Sequence, residues 1–182
     1  HVRADIIDLT KAGSSGTVAG ALFVQTSPQP TGTGVLDPFV RIQMSGTERG
    51  YNTDARPVEF DTKDENQWTH SLNLSTLTPE TINGTSYYKF LLDINEEGSP
   101  SGKLLSMNDL QVYLGDSPSL TGFNNGFGPN SVGVYNLDST GDSTVELNYK
   151  LNHGSGSGDM FAYIPTSYFS GYDSKYQWVY LY

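Results

Sequence analysis

Three stretches of the chain gather hard oxygen donors where the pattern reads as loop. Asp93-Ile94-Asn95-Glu96-Glu97 closes an apolar run and opens a Gly/Ser/Pro segment. Asp54, Glu59, Asp61, Asp64 and Glu65 form a second acidic run, and Asp138-Ser139-Thr140-Gly141-Asp142 a third. Calcium takes about six to eight oxygen ligands from carboxylates, amides and carbonyls, and short extracellular loops bind it at roughly 10⁻⁴–10⁻³ M. None of the three runs has EF-hand spacing. Asp54, Asp61, Asp93, Asn95 and Glu96 are the candidate calcium ligands, set against the ordinary use of Asp and Asn as turn residues. The chain also holds three histidines, His1, His70 and His153. An amino-terminal histidine can chelate copper through its amine and ring. His70 or His153 would then complete a T-shaped site, with a tyrosine of the last strand in the axial position.

Other chemistries find less to work with. The chain has no G-x-S-x-G, P-loop or H-E-x-x-H motif. Its lack of cysteine excludes disulfides, thiolate catalysis, zinc–thiolate sites and iron–sulfur clusters. A glycosidase needs only two carboxylates, and nothing in the spacing singles out a pair. Tyr176, Trp178, Tyr180 and Tyr182 fall on one face of the last strand-like run. Exposed, such a row would stack on sugar rings, which makes it a candidate glycan contact; buried, it would be core or subunit contact. Asn73-Leu74-Ser75 and Asn83-Gly84-Thr85 are glycosylation sequons, so Asn73 and Asn83 are candidate modification sites, with Asn73 expected on the exposed face of its strand.

The amino terminus suggests a mechanical role. Residues 1–10 form a β-prone segment carrying Val2, Ala4, Ile6, Ile7 and Leu9, followed by the small, flexible 11–16 stretch Lys-Ala-Gly-Ser-Ser-Gly. A strand on such a tether can fold back into its own sheet. It can equally be donated to a neighbour's open edge through backbone ladder bonds, and a head-to-tail contact of that kind does not close, which gives a filament.

Composition sets the frame for these residues. At 182 residues and 19.9 kDa the chain is the size of one domain. Aliphatic content is lean and aromatic content high at 12%, with 12 tyrosines against 2 tryptophans, so aromatic rings must supply much of the burial. Twenty glycines and nine prolines beside only 16% charged residues describe a loop-rich all-β protein. Twenty acidic against ten basic residues give a net charge of −10, which leaves no basic stripe for nucleic acid or for an anionic membrane. No apolar run is long enough to form a membrane helix. A chain that starts at His1 reads as a mature product after signal-peptide removal, so the expected location is secreted, extracellular or at the cell surface.

Nearly every segment alternates with period two and stops at Gly, Pro, Asn, Asp or Ser. The pattern predicts strands over residues 17–25, 39–44, 68–74, 87–94, 110–114, 132–137, 144–151, 159–164 and 176–182. The 87–94 run, apolar on both faces, is expected at the centre of a sheet. Residues 78–82 and 165–169 could each form one helical turn. About ten strands without a substantial helix predict an antiparallel β-sandwich of jelly-roll or immunoglobulin-like type. Residues 1–16 would be a strand plus tether, and 17–182 the sandwich domain.

Several segments have a familiar wording: GYNTDARPVEFD (50–61), WTHSLNLSTL (68–77), YYKFLLDINEEGSP (87–100), LLSMNDLQVYL (104–114) and GSGSGDMFAYIPTSYF (154–169). From residue 17 onward the chain resembles a family of uncharacterised bacterial secreted proteins that often carry a PEP-CTERM sorting tail, handled by exosortase at the cell surface. The resemblance implies an exported, non-catalytic surface or matrix protein. The sequence ends at Tyr182 without such a tail, which fits either its removal or a released member. The His1 arrangement is similar to that of lytic polysaccharide monooxygenases, without their flanking motifs or disulfides. The expectation drawn from all of this is a non-catalytic extracellular structural protein. It would assemble with itself through its first strand, with calcium as a candidate loop stabiliser. A carbohydrate-binding module is the alternative, and a His1 copper monooxygenase a second one.

Overall fold

The computed structural model describes residues 4–26, 38–94, 104–152 and 158–182. The fold is all-β and sandwich-like: twelve strands in three sheets, with every helix among the described residues a 3-10 turn of three or four residues. No helix among them is long and apolar enough to cross a membrane.

The strands are β1 (Ile6–Leu9), β2 (Ser15–Val18), β3 (Ala21–Gln25), β4 (Leu72–Asn73), β5 (Glu80–Ile82), β6 (Thr85–Leu92), β7 (Leu104–Met107), β8 (Gln111–Gly115), β9 (Ser131–Asn136), β10 (Thr144–Asn148), β11 (Met160–Pro165) and β12 (Trp178–Leu181). They fall into two compact units. The described residues of His1–Leu36, Pro79–Asp109 and Leu137–Ser167 make the first, and those of Asp37–Thr78, Leu110–Asn136 and Tyr168–Tyr182 make the second.

The first unit contains a three-stranded sheet, β1-β10-β7, and a five-stranded sheet, β2-β3-β11-β6-β5. Its core is mainly aliphatic: Leu9, Val18, Ala21, Leu137, Val145, Leu147, Met160 and Ile164 are buried, with Phe23 and Phe90 among them. Alternation sets the faces. Val145 and Leu147 of β10 point inward between half-buried Thr144, Glu146 and Asn148, as a period-two strand with one buried face requires. The second unit holds the sheet β4-β12-β8-β9. It buries Val112, Leu114 and Val179 together with an aromatic cluster, in which Tyr51, Leu120, Phe127 and Tyr180 are buried and Tyr113, Phe123, Trp178 and Tyr182 pack against them.

Several expected elements differ. The run 17–25 is not one strand: Ala19 (φ 49°) and Gly20 (φ 83°) turn it into the β2–β3 hairpin. Positive φ at both central residues is the geometry that matches strand twist in a two-residue turn, and alanine there concealed the signal. Residues 39–44 contribute only an isolated bridge, Ile42 to Thr62, and of 68–74 only Leu72–Asn73 is strand. Residues 80–82, placed in a helical turn, are the strand β5, which Asn83 and Gly84, both at positive φ, fold back onto β6. As expected, the 87–94 run is an interior strand: β6 pairs with β11 on one side and β5 on the other. The turn expected over 165–169 is present as a 3-10 turn at Thr166–Phe169.

Candidate functional site

The first strand sits at one edge of the three-stranded sheet and pairs with β10 in parallel, Ile6 to Thr144 through Leu9 to Leu147. The amide of Thr144 donates to the carbonyl of Asp5, extending the ladder by one bond (2.9 Å). Ile7 and Leu9 point inward, Leu9 with no exposed surface, while Ile6 is 67% exposed. Burying two such side chains stabilises the unit by roughly 1.5–3 kcal/mol each. Ala4 is exposed, and Val2 lies outside the described residues. A Cβ on Gly16 of β2 would stand 2.8 Å from Ile7 Cγ2, so glycine there is what lets Ile7 seat against the second sheet.

The tether is a compact turn. Ser14 closes it through its amide (3.2 Å) and its hydroxyl (2.6 Å), both donating to the Lys11 carbonyl. Gly13 N donates to Gln25 Oε1 at 2.9 Å. At the strand's exit Asp8 Oδ1 accepts from the amide and hydroxyl of Thr10 (2.9 and 2.5 Å). These bonds hold the Asp8 carboxyl below its ordinary value, the hydroxyl contributing most.

Three of the candidate calcium ligands, Asp54, Asp61 and Asp93, lie among the described residues. Asp54 accepts from the amide and hydroxyl of Ser71 (2.7 and 2.8 Å). Asp61 accepts from the amide of Arg49 (3.0 Å). Both carboxylates therefore brace turns of the second unit. Asp93 follows β6 in the first unit and is exposed; Asn95 and Glu96 lie outside the described residues. In the third acidic run, Asp138 caps a 3-10 turn by accepting from Ser143 N (2.8 Å). Among the described residues no group of three or more His, Asp or Glu is placed to hold a metal ion. The histidines needed for copper are not on view together: His1 and His153 lie outside the described residues, and His70 Nδ1 is 2.8 Å from the Ser71 carbonyl.

Of the aromatic row, Tyr180 is in the core of the second unit, Trp178 and Tyr182 are half-buried against it, and Tyr176 lies outside that cluster. Tyr180 is 1% exposed, and its hydroxyl donates to the Ser117 carbonyl (2.6 Å) and accepts from Leu120 N (3.0 Å). Tyr182 stacks on Phe123 at 4.2 Å between centroids, Trp178 packs on the same cluster, and the Tyr176 hydroxyl donates to the Pro129 carbonyl (3.0 Å). Tyr180 packs on Tyr51 and Phe127, which leaves it no face for a sugar. Of the sequon residues, Asn83 is exposed at the β5–β6 turn. Asn73 is half-buried, contrary to expectation, because its Oδ1 accepts from the Ser75 amide and hydroxyl (3.0 and 2.7 Å) to start a 3-10 turn.

Sequence reasoning missed three polar residues that organise these units. Glu59 accepts from the Tyr51 hydroxyl (2.5 Å) and from the amides of Gly122 (3.0 Å) and Phe123 (3.3 Å). Burial pushes its carboxyl up, but these bonds outweigh it and hold the group below its ordinary value. Burial, then the bond and the charge of Glu59, push the Tyr51 phenol far up, so it remains a neutral donor. Asn52 bridges two backbone groups of β12, and Asp159 lies buried at the start of β11. A carboxylate opening an apolar run was the one visible signal for Asp159; Glu59 stood out only as a member of the second acidic run, and Asn52 carried no signal.

No protein-family model, curated protein or solved structure matches the chain. The fold defines the class: an all-β, sandwich-like protein of two compact units.

Proposed function

We propose that this chain is a non-catalytic extracellular structural protein whose copies assemble into fibres or a matrix, each placing its β1 segment on the β10 edge of a neighbour. The observation that carries this is the seat of β1. A four-residue strand near the start of the chain inserts two buried aliphatics, ladders to a single partner strand and is joined to the body by a short turn. A strand taken from a neighbour would make the same ladder and fill the same seat, so the exchange differs in free energy mainly by the opening of the 10–14 turn. Such swapping is a low-cost route to assembly. The wording shared with exported surface proteins supports an extracellular setting, and the acidic loops suit a calcium-containing medium.

The test is electron microscopy of the native chain beside a variant lacking residues 1–10. Native protein should form regular fibres and the truncated body none. Excess synthetic peptide of residues 1–10 should fill the open seats and shorten native fibres, a result that does not depend on how well the truncated body folds. Fibres from the truncated chain, or fibre lengths unaffected by the peptide, would show that strand donation is not the mechanism.

A further inference from the structure

Phe60 combines a strained backbone with an exposed ring. Its φ of 57° lies in the left-handed region, where a bulky residue is an outlier, and its ring is 40% exposed. Both chain neighbours are tied down. Glu59 accepts from the Tyr51 hydroxyl and from the Gly122 and Phe123 amides. Asp61 N donates to the Arg49 carbonyl (3.0 Å), and Asp61 Oδ2 accepts from Arg49 N (3.0 Å). Strain of this kind persists only where the surroundings over-determine it, and it gathers at functional surfaces. Here it presents an aromatic ring to solvent.

That ring carries a cation. Arg49 Cζ lies 4.4 Å from the Phe60 centroid. Tyr182 and Tyr51 meet the same ring edge-on, at 6.1 and 6.2 Å between centroids, and half-buried Tyr182 is in turn stacked on Phe123. Stacking occupies the flat face of a guanidinium and leaves its N–H edges open. Arg56, by contrast, directs its donors at the Asp64, Thr53 and Thr69 carbonyls and at Asn66 Oδ1. The exposed Arg49 side chain makes no hydrogen bond or ion pair among the described residues, although the chain holds 20 acidic residues against 10 basic ones. A stacked fork with its donors unengaged matches the planar geometry of a carboxylate.

We propose that Arg49, Phe60 and Tyr182 form a binding site for an acidic polysaccharide of the uronic-acid class. The uronate carboxylate bonds the Arg49 edge with two parallel N–H donors. The C–H bonds of the sugar ring rest on the exposed part of Phe60 and on Tyr182 beside it, drawn by the negative faces of the rings. Three side chains match one or two sugar rings, whereas a stable protein interface takes about 20–30 residues a side; that favours a glycan over an acidic protein. Tyr182 is the member of the carboxy-terminal aromatic row that serves the site. All three residues belong to the second unit, so the site depends neither on strand exchange nor on calcium.

The test is calorimetric titration of the full-length chain, in calcium-free buffer, with hexagalacturonate, with neutral maltohexaose and with hexaglutamate as an acidic peptide. Hexagalacturonate should bind, more weakly as NaCl is raised, and maltohexaose should bind at least about tenfold more weakly. Arg49→Gln should lower the hexagalacturonate affinity at least about tenfold, the loss expected for a charged hydrogen-bond pair. Its urea midpoint should match that of the native chain, because the side chain it replaces makes no hydrogen bond within the fold. Phe60→Gly removes the ring at a φ that glycine adopts freely and should weaken binding by a similar factor; Arg49→Gln keeps the site testable if that variant folds poorly. Absence of hexagalacturonate binding overturns the site, as does an affinity that Arg49→Gln leaves unchanged. Hexaglutamate binding as tight as that of hexagalacturonate would assign the surface to an acidic peptide and overturn the glycan site.

Discussion

Asn52 offers the sharpest test of how the second unit is held together. It has no exposed surface. Its Nδ2 donates to the Val179 carbonyl and its Oδ1 accepts from the Leu181 amide, each at 2.8 Å. β4 pairs with β12 only at Trp178 and Val179, and the Asn52 side-chain amide serves the next carbonyl and amide along, as a peptide group of a longer strand would. In Asn52→Ala both backbone groups lose their partners. Each lost bond is worth about 0.5–1.5 kcal/mol net, and each buried orphan costs about 1–3 kcal/mol. Water entering the vacated volume would keep the total near the low end, so about 3–5 kcal/mol is expected. Asn52→Asp keeps the acceptor but turns a carboxylate toward the Val179 carbonyl. Its loss should ease as pH falls and the acid becomes able to donate, because that carboxyl takes up its proton more readily folded than unfolded. The assay is urea unfolding followed by tryptophan fluorescence. Both tryptophans, Trp68 and Trp178, lie in the second unit, so the signal reports that unit alone. A loss below about 1 kcal/mol for Asn52→Ala would refute the idea that this side chain completes the sheet.

Two further outcomes follow from the same unit. The Glu59 carboxyl lies below its ordinary value in the folded chain, so the stability it contributes is present above the unfolded carboxyl pKa, about 4.3, and is lost as pH falls through the lower folded value. The urea midpoint of the native chain should therefore drop on acidification where that of Glu59→Gln changes less; parallel profiles would dissociate Glu59 from acid sensitivity. Gly115 on β8 lies against the core: a Cβ there would stand 2.6 Å from Leu120 Cδ1 and 2.7 Å from Tyr180 Cε2. Gly115→Ala should cost about 1–3 kcal/mol by overpacking, read by the same fluorescence, and a neutral result would mean that the aromatic cluster yields.

The fold class was legible because strands with one wet face alternate. β9 to β12 and the body of β6 are visible as period-two runs. What escaped was governed by residues far away in the chain. Residues 39–44 alternate well, yet Ile42 meets only Thr62, and alternation without a partner edge does not make a strand. The shared face of the carboxy-terminal aromatic row could be read directly. Its burial could not, because Tyr51, Phe123 and Phe127, which cover it, come from loops with no periodic signal. The sequence shows Asp54 and Asp61 as loop carboxylates, and only the fold shows that they accept from the Ser71 and Arg49 amides. Among the described residues the carboxylate with an unmatched buried oxygen is Asp159, whose neighbours Thr26 and Ile94 reach it only through strand order.

The two cores also explain how so lean a composition suffices. The second unit closes around tyrosine and phenylalanine rings, and their hydroxyls must find acceptors once buried; Glu59 and the Ser117 carbonyl fill that need. Aliphatic side chains are buried in both units: Val112, Leu114 and Val179 in the second, and Leu9, Val145 and Leu147 in the first, are all but completely buried. Leu9 and its strand-mate Ile7 reside on a segment that a five-residue turn connects to the body. Losing β1 would uncover Val145 and Leu147 on the strand it pairs with, so a chain cannot leave the seat empty without exposing its best-buried surface. The seat therefore has to be filled, by the chain's own first strand or by a neighbour's. In the proposed assembly a neighbour's strand makes the same contacts, so the strain of the turn and the concentration of neighbours would decide between a closed monomer and a growing fibre.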